Sequence, residues 1–76
     1  MFTDKTKNAI CAVASDCAVD MGDGASDAEA VAETAMDACR LTTWGYPEAD
    51  KEVSALIQQH GYPAVLKAAA EFVPTA

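Results

Sequence analysis

Few side chains in this chain of 76 residues can do covalent or metal chemistry: Cys11, Cys17, Cys39 and the single histidine, His60, beside a series of carboxylates. A cysteine nucleophile would have to use His60 as its base, because no other imidazole is present. By helical phase His60 falls near the Val53, Leu56 and Ile57 side at a helix end, where a histidine ordinarily caps carbonyls or favours the helix dipole. Zinc would require the three cysteines and His60 to converge, yet no pair of cysteines has C-x-x-C spacing. In the acidic stretch DMGDGASDAE, Gly22 and Gly24 take the third and fifth places counted from Asp20, where a calcium loop needs oxygen ligands; counting from Asp23 puts Ala25 third. No serine elbow, phosphate loop or paired-carboxylate motif occurs. So small a core also leaves little room for a substrate cavity of ordinary size. The expectation is a non-enzymatic protein with no catalytic residue, no metal and no cofactor.

The cysteines point the same way. Their odd number does not suggest a secreted disulfide framework. Cys11 and Cys17 stand about 9 Å apart along one helix, too far to bridge. Cys11 and Cys39 could face each other across an antiparallel helix pair, but free thiols acting as small buried hydrophobes are the simpler expectation.

What remains is the carboxylates, and their meaning depends on the elements that carry them. Ile10, Val13, Ala14, Cys17, Ala18 and Met21 recur at intervals of three and four, which predicts a helix over 4–21, capped by Thr3 or Asp4 and stopped at Gly22. Ser26, three before Glu29, predicts a capping box and a second helix over 27–42, with Ala28, Val31, Ala35, Ala38 and Cys39 inward. The tripeptide Gly-Tyr-Pro then occurs at 45–47 and again at 61–63. Glycine suits the end of one helix and proline the first turn of the next, so each copy reads as punctuation, with Tyr46 and Tyr62 packing back on the helix they precede. Helices are predicted over 47–60 and 63–73. Beyond the tripeptide only Lys51 and Lys67 coincide among charged positions, so a true repeat is not implied.

The fold expected is therefore all-α: one domain over residues 1–76, four short helices in a compact bundle. Its core would draw on Ile10, Val13, Met21, Val31, Leu41, Trp44, Val53, Leu56, Ile57, Val65, Leu66, Phe72 and Val73, with Trp44, Tyr46 and Tyr62 as bulky plugs among many alanines. No apolar run reaches the roughly 18 residues of a membrane span, and the first residues lack a signal peptide's apolar stretch, so the expected location is cytoplasmic, away from membranes.

On this scaffold the charge is uneven. The formal net charge is −7, and no lysine or arginine occurs from Asn8 to Cys39, where Asp16, Asp20, Asp23, Asp27, Glu29, Glu33 and Asp37 all lie. Elsewhere acids and bases balance, with Arg40 among the balancing charges. Asp16 and Asp20 are four apart on the first helix, and Glu29, Glu33 and Asp37 repeat at four on the second, giving stripes with charges about 6 Å apart. Such like-charge pairs cost a few tenths of a kcal/mol each. Dipole stabilisation accounts for Asp27 and Glu29 but not for the others.

An acidic face of this kind predicts docking on a basic surface of a larger protein, one built for nucleic acid, with Asp16, Asp20, Asp23, Asp27, Glu29, Glu33 and Asp37 as the charges and Trp44 or Tyr46 as an anchor. Direct nucleic-acid binding is not expected. The last two helices have a helix-turn-helix outline, but the final one carries one lysine, no arginine and a face of alanines. The size, acidity and missing catalytic groups would suit an inhibitor of a nuclease system, such as a phage-encoded anti-CRISPR or antirestriction protein. The rival expectation is a small assembly protein that forms a homodimer through alanine-rich faces, with its acids merely solvated.

Overall fold

The structure is a computed structural model that describes residues 1–37 and 40–75, and within them every side chain except those of Val19 and Asp20. The chain is all-α, with no strand among the described residues. Helix α1 spans Asp4–Met21, a 3₁₀ turn covers Gly22–Ser26, and α2 spans Ala28–Met36. A single helical turn, α3, covers Arg40–Thr43, followed by α4 over Pro47–His60 and α5 over Tyr62–Ala70.

The caps explain the starts. Thr3 is extended, at φ −68° and ψ 158°, and its side chain accepts a hydrogen bond from the Thr6 N–H, which sets the first residue of α1. The cap of α2 differs from the expected capping box. Asp27, not Ser26, takes the N-cap position, its Oδ1 accepting from the N–H groups of Glu29 and Ala30 at 3.0 and 3.4 Å. Ser26 belongs to the 3₁₀ turn and donates its hydroxyl to the Asp23 carbonyl, so it is not available to cap.

Both Gly-Tyr-Pro units act as stops and starts. Gly45 and Gly61 have φ of 96° and 86°, a region that L side chains avoid, and helices begin at Pro47 and at Tyr62 just after them. The tyrosines are less enclosed than plugs would be, Tyr46 at 37 % and Tyr62 at 39 % exposure.

The helix expected over 27–42 is broken. Asp37 adopts φ −57° and ψ 154°, which ends α2 before α3 begins at Arg40. Burial supplies the reason. In one unbroken helix Met36 and Leu41 would lie about 140° apart around the axis. With the break both reach the core, at 7 % and 1 % exposure. Ala38 and Cys39, expected inward, lie outside the described residues, as does any pairing of Cys11 with Cys39. The last helix is shorter than expected, ending at Ala70, and Phe72 and Val73 follow in a turn.

Helix α1 packs on α2 and α4, and α5 closes the bundle against α2 and α4, with α3 laid on α4. Ile10, Val13, Val31, Leu41 and Val65 are the largest fully buried side chains. Each contributes on the order of 1.5–3 kcal/mol by burial. Ala9, Ala14, Ala32, Ala35, Ala49 and Ala69 are also buried, so small residues let these helices approach closely. Trp44 is a correction: at 41 % exposure it stands outside the core. Phe2, absent from the expected core, enters it and meets Phe72 edge-on, with ring centroids 5.5 Å apart.

Candidate functional site

The break after Asp37 places α3 so that five side chains meet, those of Asp16, Cys17, Asp37, Arg40 and Trp44. Arg40 is the centre. Its guanidinium lies 5.6 Å from the centroid of the Trp44 ring, its Nη2 is 3.9 Å from Asp37 Oδ2, and its Nη1 donates to Cys17 Sγ at 3.3 Å. Trp44 in turn donates its Nε1–H to Asp16 Oδ2 at 3.0 Å. Local turns make this possible: the Arg40 N–H donates to the Asp37 carbonyl and the Trp44 N–H to the Arg40 carbonyl, each at 3.0 Å, which keeps the three residues close although the helix is broken. Asp16 projects from α1 to the same place.

Of the expected interaction residues, Asp16, Asp37 and Trp44 are thus brought together. Asp23, Asp27, Glu29 and Glu33 are exposed on the 3₁₀ turn and α2. Asp27 is engaged as a helix cap, while Glu29 and Glu33 form no ion pair among the described residues. The side chain of Asp20 lies outside the described residues. Tyr46 is not part of the Trp44 group; it lines a separate cleft.

Two residues belong here that sequence reasoning left out. Arg40 was assigned no interaction role, although it stands three residues after Asp37 and four before Trp44. Tyr62 was not among the expected interaction residues, being read as a flanking residue and bulky plug at a helix start. Its hydroxyl pKa is raised, first by burial and then by the Glu33 and Asp37 carboxylates, which places the start of α5 beside the end of α2. That proximity is tertiary and left no mark in the local sequence.

The separate cleft, of about 410 Å³, lies between the starts of α1 and α4, with Thr3, Lys5 and Thr6 on one side and Tyr46, Glu48 and Glu52 on the other. Its volume falls within the ordinary range for ligand sites, contrary to the expectation from chain length. The space exists because Ala9 and Ala49, where the two helices meet, fill little of it. Lys5 Nζ and Glu48 Oε2 pair across it at 3.0 Å, lowering the Glu48 pKa through the hydrogen bond and charge of Lys5. Burial pushes the Glu52 carboxyl up, but hydrogen bonds from Thr6 and from the backbone and hydroxyl of Thr3 together outweigh it, and the net pKa is lowered. These polar groups are occupied with one another, and neither His60 nor a cysteine reaches the cleft.

The thiols are engaged locally. Cys11, half-buried, donates to the Phe72 carbonyl at 3.5 Å, and burial raises its pKa; Cys17 is buried beneath Arg40. His60 is exposed at the end of α4. Among the described residues no three His, Cys, Asp or Glu side chains gather as a metal site, and no helix is long and apolar enough to cross a membrane.

No protein-family model matches this chain, and neither a curated protein nor a solved structure does.

Proposed function

We propose that this chain is a non-enzymatic protein-binding module whose acidic surface, formed by α1, the 3₁₀ turn and α2, occupies a basic, nucleic-acid-binding site on a larger protein. The observation that carries this reading is the unbalanced exposure of Glu29 and Glu33 beside Asp37: carboxylates on the outer side of α2, the two glutamates without an ion pair among the described residues, next to the exposed rings of Trp44 and Tyr62. Repulsion along such a stripe costs stability in the free protein and is relieved by a basic partner. Aromatic rings at its border supply the apolar contact that charge alone lacks. An inhibitor of this kind, for example a phage-encoded anti-CRISPR or antirestriction protein, acts by occupancy and needs no catalytic group.

Self-association through alanine-rich faces has less support. Ala69 is fully buried within the chain, and Ala68 and Ala70 are half-buried against the same core. These alanines pack against the chain's own core.

The test is displacement. Bacterial proteins retained on DNA-cellulose at low salt are challenged with the wild type and with a Glu29→Lys, Glu33→Lys double variant confirmed helical by circular dichroism. Asp27 is left in place because it caps α2. Release of a basic protein by the wild type alone supports the reading; equal release by both, or none by either, removes it.

A further inference from the structure

The group around Trp44 shows which cation this surface accommodates. An intramolecular guanidinium already sits there, stacked toward the indole at 5.6 Å and near the Asp37 carboxylate at 3.9 Å, while Asp16 holds the ring through its Nε1–H. A planar, weakly hydrated guanidinium suits a flat ring flanked by carboxylates better than a compact ammonium does.

Arg40 fills that seat imperfectly. Its Nε is buried and has no hydrogen-bond partner among the described residues. Its Nη1 is given to a thiol, a weak acceptor, and its approach to Asp37 is longer than a hydrogen bond. The cause is tethering. Arg40 reaches Asp37 and Trp44 from three and four residues away on the same short stretch, so its backbone limits how the fork can be aimed. An arginine arriving from solvent has no such restriction. Trp44, at 41 % exposure, is open to one.

We infer that the partner presents an arginine, rather than a lysine, to Trp44 and Asp37, taking the position that Arg40 holds in the free protein. This rests on the docking reading above and names the partner chemistry of the same surface. Arg40 is then an internal placeholder: it neutralises the site in the unbound state and gives way on binding.

Trp44 is the only tryptophan, so its fluorescence reports this one place. Hexa-arginine and hexa-lysine peptides are titrated into the wild type at low salt, with affinity measured by calorimetry and Trp44 emission followed in parallel. Hexa-arginine should change the emission and bind about two- to fivefold tighter than hexa-lysine, the scale of an exposed cation–aromatic contact. In Arg40→Gln the loss of a positive charge strengthens both peptides alike, so the informative quantity is the arginine-to-lysine ratio, which should widen. If that variant misfolds, the wild-type comparison decides alone. Equal affinities with unchanged Trp44 emission would overturn the arginine inference and leave acidic docking intact. Binding by neither peptide would overturn both.

Discussion

At the start of α1 the charges are matched: Lys5 meets Glu48 at 3.0 Å, and Glu52 accepts from the Thr3 N–H at 3.1 Å. Along α2, on another side of the molecule, Glu29 and Glu33 have no ion pair among the described residues, and Asp37 shares Arg40 with a tryptophan and a thiol. The two regions carry carboxylates of the same kind in opposite circumstances. In the first, the acids of α4 fasten Thr3 and the first turn of α1 and are part of the fold. In the second, Asp27 caps α2 and Asp37 lies near Arg40, while Glu29 and Glu33 are exposed with no ion pair among the described residues, which is the feature the docking proposal rests on.

The largest effect removes the base on which both regions stand. Leu41, 1 % exposed, anchors α3 between α4 and α1. Leu41→Ala should cost about 2–5 kcal/mol in urea unfolding, the usual range for a buried leucine. It should also release the Trp44–Asp16 contact, seen as a shift of Trp44 emission toward that of a solvated indole at urea concentrations well below unfolding.

A smaller effect isolates the matched region. Glu52→Gln should cost about 1 kcal/mol, since the hydrogen bonds it loses are charge-assisted but partly exposed. Because the folded-state pKa of Glu52 is lowered, its contribution is complete above the ordinary glutamate value and disappears as pH falls through the folded value. Thermal midpoints of the variant and wild type should therefore differ at neutral pH and converge in acid. A constant gap across that range would mean that the glutamate acts by shape and not by charge.

The smallest effect has the opposite sign and defines the other region. Glu33→Lys replaces two like-charge neighbours at i±4 with two opposite ones and should stabilise by several tenths of a kcal/mol. The gain should fade in molar salt. The same change should lower the alkaline midpoint of Tyr62, read from tyrosinate absorbance, but only part of the way to the ordinary value, because burial is the larger cause of its elevation. A loss of stability in Glu33→Lys would place α2's acids among the fastening ones and erase the contrast.

How much of this was legible before the structure depended on whether the cause was local. The start of α1 follows from Thr3 and its own first turn, and the two Gly-Tyr-Pro stops follow from backbone preferences of the residues themselves. The cap at Asp27 was misassigned to its neighbour because Ser26 satisfies the same local rule, and only the 3₁₀ turn decides between them. The break at Asp37 is not a local event; it arises because Met36 and Leu41 must reach the same core. Of the site, the acidic stripe was visible as spacing. The place of Trp44 was not, because an indole that hydrogen-bonds to Asp16, 28 residues away, cannot be told from a core indole by periodicity.

Those distant contacts share a partner. Cys11 bonds to Phe72 across 61 residues, Thr3 to Glu52 across 49, Lys5 to Glu48 across 43 and Asp16 to Trp44 across 28, and each begins at α1 or in the residues just ahead of it. Many small helical proteins assemble from near neighbours and fold fast on that account. Here α1 packs on its near neighbour α2, but its cover is completed only by α4 and the turn after α5. A chain lacking everything after residue 61 would keep α2 and α4 against α1 but lose the Cys11–Phe72 and Phe2–Phe72 contacts that close its remaining face.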